Sequence, residues 1–192
     1  MSAFLKERCI VNVTLYGASS DRTGAEYKDR VRELGELIGS HGHTLVYGAG
    51  RAGLMAAAAE GVRSAGGRLI GVTTVFMHEF EPPYDGCDEL IYCQSMSERK
   101  EKLKDMGDAI VAVPGGIGTL DELFSALTER LLRRHDKPIA LFDPCGFWDG
   151  TVSELHKMYG SGFVAERTFG LFRVCRTPAE VLSYFEEESQ AE

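Results

Sequence analysis

Apolar and polar positions along this chain follow two alternating rhythms. Short apolar runs come first: "IVNVTLYG" (10–17), "TLVYG" (44–48), "RLIGVTT" (68–74), "ELIYCQ" (89–94), "AIVAVPG" (109–115) and "PIALFD" (138–143). They are nearly continuous in apolar character, as strands buried on both faces are. Longer amphipathic stretches separate them. "AEYKDRVRELGELIGSHG" (25–42) sets Tyr27, Val31, Leu34 and Ile38 on one helical stripe, and Gly42 stops it. Helices are also predicted over the small-residue segment 53–67, the charged segment 97–107, and 147–162. In "TLDELFSALTERLLRR" (119–134), Leu120, Phe124, Leu127 and Leu131 share a stripe. A short strand (172–175) and a helix (177–188) close the pattern, with Thr177 as N-cap, Pro178 at the first helical position and a solvated acidic end at 186–188.

Strand and helix in repeated alternation specify an α/β fold: a Rossmann-like, doubly wound parallel sheet with helices on both faces, one domain over residues 1–192. Ligands on such sheets bind at the carboxyl ends of the strands, so the informative segments are the strand-to-helix turns.

Three of those turns are rich in glycine: "YGASSDRTG" (16–24), "YGAGRAGLM" (47–55) and "PGGIGT" (114–119). Glycine lets backbone reach positive φ and approach a ligand closely. A helix start leaves N–H groups unpaired and carries about half a positive charge, which makes an anion site. Thr119 could cap its helix or offer its hydroxyl to a phosphate. Each turn alone could equally be structural. Gly48 to Gly53 spell G-x-G-x-x-G, but no acidic residue ends the following strand to hold a ribose, and no G-K-[ST] of a P-loop occurs. Three such turns in one sheet point to a phosphate-bearing ligand.

Composition narrows the class. The 192 residues are 44% hydrophobic and 26% charged, as in a soluble globular protein. A net charge of −8 argues against broad nucleic-acid binding. Cys9, Cys87, Cys93, Cys145 and Cys175 are scattered, with no C-x-x-C and no ligand-spaced histidines, so neither a disulfide framework nor a metal site is expected. Reduced thiols and the lack of a long apolar run suggest a cytoplasmic protein with no membrane partner.

The charged residues beside the turns supply candidate chemistry. "SMSERKEKL" (95–103) puts Arg99 and Lys100 near a helix start, where cations are disfavoured unless an anion offsets them. The same segment also reads as a solvated face with Glu98–Lys102 pairing. Asp121 and Glu122 open the next sheet helix, where carboxylates stabilise the dipole. Adjacent residues point about 100° apart, so one can face a cleft while the other is solvated. If the two preceding strands are neighbours, Arg99 and Glu122 face one cleft.

These residues carry a resemblance. "PGGIGTLDE" (114–122) resembles the P-G-G-x-G-T-x-x-E motif of the LONELY GUY family, "MSERK" (96–100) its M-H-x-R-K segment, and "GAGRAGLM" (48–55) its G-G-G-x-x-G-L-M turn. The likeness runs from Tyr16 to about Val164, through "KPIALFD" (137–143) and "GFWDG" (146–150). Ser97 stands where the family has histidine, Ala49 where it has the middle glycine, and Ala56 where glycine is common. The resemblance implies a homodimer or larger assembly. It also implies a phosphoribohydrolase that cleaves the N-glycosidic bond of cytokinin riboside 5′-monophosphates or AMP, with no cofactor. Members are often labelled lysine decarboxylases, yet the sequence has no independent signature for pyridoxal phosphate.

Carried over by motif, Arg99 and Glu122 form the catalytic pair. Gly115, Gly116, Gly118 and Thr119 form a phosphate cradle with Lys100 nearby, and Glu79, Asp121 and Thr128 contact substrate. Glycosidic cleavage passes through an oxocarbenium-like sugar, which a carboxylate stabilises while orienting or deprotonating water. Glu122 fits that role. Arg99 is too basic to act as a base, and would hold Glu122 ionised by lowering its pKa. A non-catalytic nucleotide-binding or cofactor-carrier protein is the alternative, and it would not need Arg99 and Glu122 together. A dehydrogenase using the glycines at 48–53 lacks its ribose acid. Apolar residues at 124–132, including Leu131 and Leu132, could form an interface or belong to the core.

Overall fold

The computed structural model describes residues 11–189, apart from the side chains of Glu79 and Phe80. Seven strands form one parallel sheet: β1 (Asn12–Tyr16), β2 (Thr44–Tyr47), β3 (Arg68–Thr74), β4 (Glu89–Cys93), β5 (Ala109–Ala112), β6 (Ile139–Phe142) and β7 (Arg173–Cys175). Their order is β4-β3-β2-β1-β5-β6-β7. The helices are α1 (Ala25–Ser40), α2 (Gly53–Ser64), α3 (Met77–Phe80), α4 (Met96–Met106), α5 (Ile117–Leu131), α6 (Asp149–Gly160) and α7 (Pro178–Ser189). The single turn α3 and a 3-10 helix at Glu166–Gly170 are too short to register as periodicity in the sequence.

Strand geometry divides the core in two. Alternate residues point to opposite faces, so Val13 and Leu15 meet α1, α2 and α7, while Tyr16 meets α4, α5 and α6. On α1, Val31, Leu34 and Ile38 are fully buried, as their spacing requires. The small residues of α2 have a different purpose: they let it approach α1 until backbones touch. A Cβ added at Gly61 would lie 2.2 Å from the carbonyl oxygen of Arg32, and one at Gly35 would lie 2.2 Å from that of Ala58.

The inward face of α5 differs from the predicted stripe. Thr119, Leu123, Ala126 and Leu127 are its buried residues, and Phe124 is 38% exposed. Of the predicted stripe, Leu127 is buried and Leu120 and Leu131 are partly buried; apolar residues spread around this helix, so periodicity set the stripe one step off its inward centre at Leu123.

Strand order reverses between β1 and β5, the place where a crevice opens at the carboxyl ends. The strand that precedes Arg99 is β4, at the sheet edge, and the one that precedes Glu122 is β5, with three strands between them. The premise that these strands are neighbours therefore fails. A long crossover replaces it: α4 carries the chain from the edge back across β3, β2 and β1, and so delivers Arg99 to the crevice anyway.

Candidate active site

The three glycine turns do three different things. The first two satisfy each other. Leu54 and Met55, at the start of α2, donate their N–H groups to the Ala18 carbonyl at 2.8 and 3.2 Å, and Gly53 donates to Asp21 Oδ1 at 3.0 Å. The amino end of α2 is thus occupied by the chain's own carboxylate, which removes it as a dinucleotide site. Gly53 has φ +64°, and its missing side chain admits the backbone of Ala18 to Ser20.

The third turn is open. Gly116 is the N-cap of α5 and offers no side-chain cap. Among the described residues, the N–H groups of Ile117, Gly118 and Thr119 have no acceptor. Gly116 and Gly118 face empty space, where an added Cβ would meet nothing within 4 Å. These glycines do not use positive φ, contrary to expectation; they keep side chains off the helix end. Thr119 lies in the first turn of α5 and is not its cap. Gly115 packs beneath it, where a Cβ would strike Thr119 Oγ1, so Gly115 supports the cradle and does not line it.

Next to this helix end lies a cleft of ≈ 480 Å³. Gly116, Gly118, Thr119, Asp121 and Glu122 form one wall, Gly17 to Ser20 another, and Arg99 and Lys100 of α4 a third. α4 starts with a side-chain cap: Ser95 Oγ accepts from Glu98 N at 3.1 Å, and Glu98 Oε2 reaches back past the cap to accept from Gln94 N at 2.7 Å. The cations beyond it are offset by carboxylates of α5.

Arg99 is held by three acceptors. Its Nε donates to the Val72 carbonyl at 2.9 Å, Nη2 to the Gly48 carbonyl at 3.2 Å, and Nη1 to Glu122 Oε1 at 3.5 Å. A side chain at Gly48 would place its Cβ 2.2 Å from Arg99 Nη2. The first glycine of G-x-G-x-x-G therefore makes room for an arginine rather than a pyrophosphate. The Arg99 and Glu122 side chains are only 12% and 16% exposed.

Burial dominates the electrostatics of Glu122. It pushes the carboxyl up to about 7; Arg99 pulls it down, Asp121 raises it and Lys100 lowers it. The expectation that Arg99 keeps Glu122 below its ordinary range is thus corrected: desolvation wins. A carboxyl that titrates near neutrality can both take and return a proton.

Other expected site residues fall elsewhere. Lys100 Nζ donates to both oxygens of Asp121 at 3.1 Å, so Asp121 acts on a lysine first. Thr128 is on the outer face of α5, its hydroxyl donated to the Phe124 carbonyl at 2.7 Å, and it does not reach this cleft. Glu79 belongs to α3, but its side chain lies outside the described residues. Glu81, two residues on, lines the cleft instead. Ser97, which stands where the family has histidine, also lines it; Ser19, Ser20 and three thioethers, Met55, Met77 and Met96, line it too and were missed. Met55 and Met96 sit inside the quoted motifs, which was the available signal. Among the described residues, no group of three or more His, Cys, Asp or Glu could hold a metal, and no helix is long and apolar enough to cross a membrane.

The family described as "Possible lysine decarboxylase" matches residues 55–185. The cytokinin riboside 5′-monophosphate phosphoribohydrolase of Mycobacterium tuberculosis is 40% identical over 80% of this chain and 81% of its own. The chain belongs to the LONELY GUY family. The rice phosphoribohydrolase LOG is 33% identical, over 91% of this chain and 72% of that one. The molybdenum cofactor carrier protein of Chlamydomonas reinhardtii has a similar structure, with TM-score 0.69, 26% identity, and coverage of 95% of this chain and 99% of that one. Within the LONELY GUY family, this member keeps the arginine and glutamate of the quoted motifs and brings them together.

Proposed function

We propose that this LONELY GUY family member hydrolyses the N-glycosidic bond of nucleoside 5′-monophosphates, cytokinin riboside 5′-monophosphates or AMP, to free base and ribose 5-phosphate. One observation carries the reading. Arg99, in the first turn of α4, meets Glu122, in the second turn of α5, and the uncapped amino end of α5 opens on the same cleft. The phosphate takes the free N–H groups of Ile117 to Thr119, with Lys100 beside it. That anchor holds the ribose in reactive geometry, although the phosphate is remote from the broken bond. Glu122 accepts a proton from water, whose oxygen bonds to the anomeric carbon. The C–N bond breaks, its electron pair leaves with the base, the base gains a proton from solvent, and Glu122 returns its own to solvent. Arg99 orients Glu122 and offsets its charge.

Two assignments extend this reading. A homodimer would cover the apolar outer face of α5, where Ile117 is 87% and Leu132 65% exposed. Free thiols at Cys87, Cys93, Cys145 and Cys175 suit the reducing cytoplasm. A cofactor-carrier reading, favoured by the likeness to the carrier protein, is tested in the same experiment. Purified protein is incubated with AMP or isopentenyladenosine monophosphate and chromatographed for free base and ribose 5-phosphate, with Glu122→Ala as control. Base release lost in the variant supports the hydrolase. Nucleotide bound but intact in both would favour the carrier.

A further inference from the structure

Beneath the catalytic pair, α4 and α5 are joined again. Lys104 Nζ donates to Glu129 Oε2 at 2.5 Å, and Asp105 Oδ1 lies 3.6 Å from the same nitrogen. Lys104 is five residues beyond Arg99 and Glu129 seven beyond Glu122, so this contact lies about 7–10 Å down the helices from the reacting groups. We propose that Lys104 and Glu129 are positioning residues, a brace between α4 and α5 that sets where Glu122 meets Arg99.

Three observations lead there. First, Arg99 is fixed without α5, by the carbonyls of Val72 and Gly48, whereas Glu122 has Arg99 as its one hydrogen-bond partner among the described residues, at the long distance of 3.5 Å. The position of Glu122 is therefore the position of α5. Second, the amino end of α5 is left open for a ligand, and beyond Glu129, at its carboxyl end, Arg130 Nη1 donates to the Leu171 carbonyl at 2.8 Å, so the half that carries Glu122 is the less tied of the two. Third, the other cross-helix pair cannot serve as the constant link. Lys100–Asp121 is solvent-facing, with Asp121 64% exposed, and Lys100 adjoins the anion cradle, so a bound phosphate competes for it. Lys104 is only 13% exposed and lies outside the cleft. Its own end of α4 is anchored. The Leu103 carbonyl accepts from Thr14 Oγ1 at 2.6 Å, and the Lys104 carbonyl from Lys137 Nζ at 2.7 Å.

The inference rests on the catalytic reading of Glu122, but its test does not need turnover. The carboxyl of Glu122 is titrated by ¹³C NMR in wild type, Lys104→Met and Glu129→Leu. The charges that act on it come from Arg99 and Lys100 on α4 and Asp121 on α5, and it in turn acts on the buried phenol of Tyr16 on β1. Loss of the brace lets α5 move, weakens the hold of Arg99, and raises the midpoint in both variants by at least half a pH unit. Direct charge effects would act in opposite directions, because one variant removes a cation and the other an anion. In the hydrolysis assay, both variants should lower kcat about tenfold with KM changed less than twofold, and Lys104→Arg should restore kcat. Unchanged midpoints, or midpoints that move in opposite directions, overturn the brace. If Lys104→Met does not fold, Glu129→Leu decides. A wild-type protein that releases no base refutes the hydrolase proposal, while the titration still judges the brace.

Discussion

Glu122 is where burial and charge conflict most sharply. Its carboxyl titrates near 7 in the fold, against an ordinary value of 4.5, because desolvation outweighs Arg99. The proposed reaction needs the ionised form, so base release should fall about tenfold per pH unit below an acid limb near pH 7. A limb at the ordinary carboxylate range would contradict this environment. The same shift has a cost for stability. The folded state holds the Glu122 proton more tightly than the unfolded chain, so between pH 4.5 and about 7 stability declines as pH rises, and the loss is complete above 7. Glu122→Gln should therefore stabilise the protein at pH 8, by on the order of 3 kcal/mol, while abolishing base release. Thermal melts at pH 8 and pH 4 check it: the gain should vanish at the lower pH. Gly48 offers a second test at this scale. Gly48→Ala intrudes on Arg99 Nη2 at 2.2 Å, so the guanidinium must leave the Gly48 carbonyl. A loss of roughly 100-fold in kcat with nucleotide binding retained is expected, on the size of effect that misplacing a catalytic group has. Wild-type turnover in Gly48→Ala would show that Arg99 tolerates displacement.

Helix pairing makes the opposite prediction from helix propensity. Gly61 lies inside α2, where alanine ought to stabilise by about 1 kcal/mol. Packing reverses the sign, since the added Cβ meets the Arg32 carbonyl at 2.2 Å and Glu36 N at 2.8 Å, both backbone atoms of α1. Overpacking of that kind costs about 1–3 kcal/mol or more. Gly61→Ala should lower Tm by several degrees, roughly 2–4 °C per kcal/mol for a chain this size. A melt that rises instead would mean the two helices separate cheaply. The sequence displayed α2 as helical and rich in small residues but not the reason for them, which is a neighbour reached only in three dimensions. The same limit explains the other differences. All seven strands and the six longer helices were legible, because periodicity is a local property. Strand order was not, so the condition that placed Arg99 and Glu122 on neighbouring strands failed, while the motif resemblance had paired them independently. The inward side of α5 was legible only in part: Leu127 was placed correctly, but Leu120 and Phe124 satisfy the helical rhythm as well as Leu123 and Ala126 do. The open end of α5 and the closed end of α2 look alike as glycine strings. The Asp21 carboxylate and the Ala18 carbonyl, both placed by a separate loop, tell them apart.

At the scale of the whole molecule, the apolar outer face of α5 and the cleft share a boundary. Ile117 projects to solvent from between Gly116 and Gly118, both of which line the cleft. Leu120, Phe124 and Thr128 continue from it along the helix and line a shallow groove. An acidic chain of net charge −8 would ordinarily repel its own copy, so an apolar patch is the surface on which association is least opposed. Covering it would also seat the outer side of α5, the helix that carries Glu122 and has few buried residues of its own. In the proposed dimer, assembly and the proposed reaction would be coupled through this one element. Phe124→Asp places a charge at the centre of the face without touching a cleft residue. In sedimentation equilibrium the wild type should behave as two chains of 21.1 kDa, and Phe124→Asp as one. Base release by the variant should fall with assembly, and should recover in part as its concentration is raised and dimers re-form. A wild type that sediments as a single chain at full activity would remove the dimer from the account. It would leave α5 held by its inner face, by its ion pairs to α4 and by the Arg130 guanidinium, which donates to the Leu171 carbonyl at 2.8 Å.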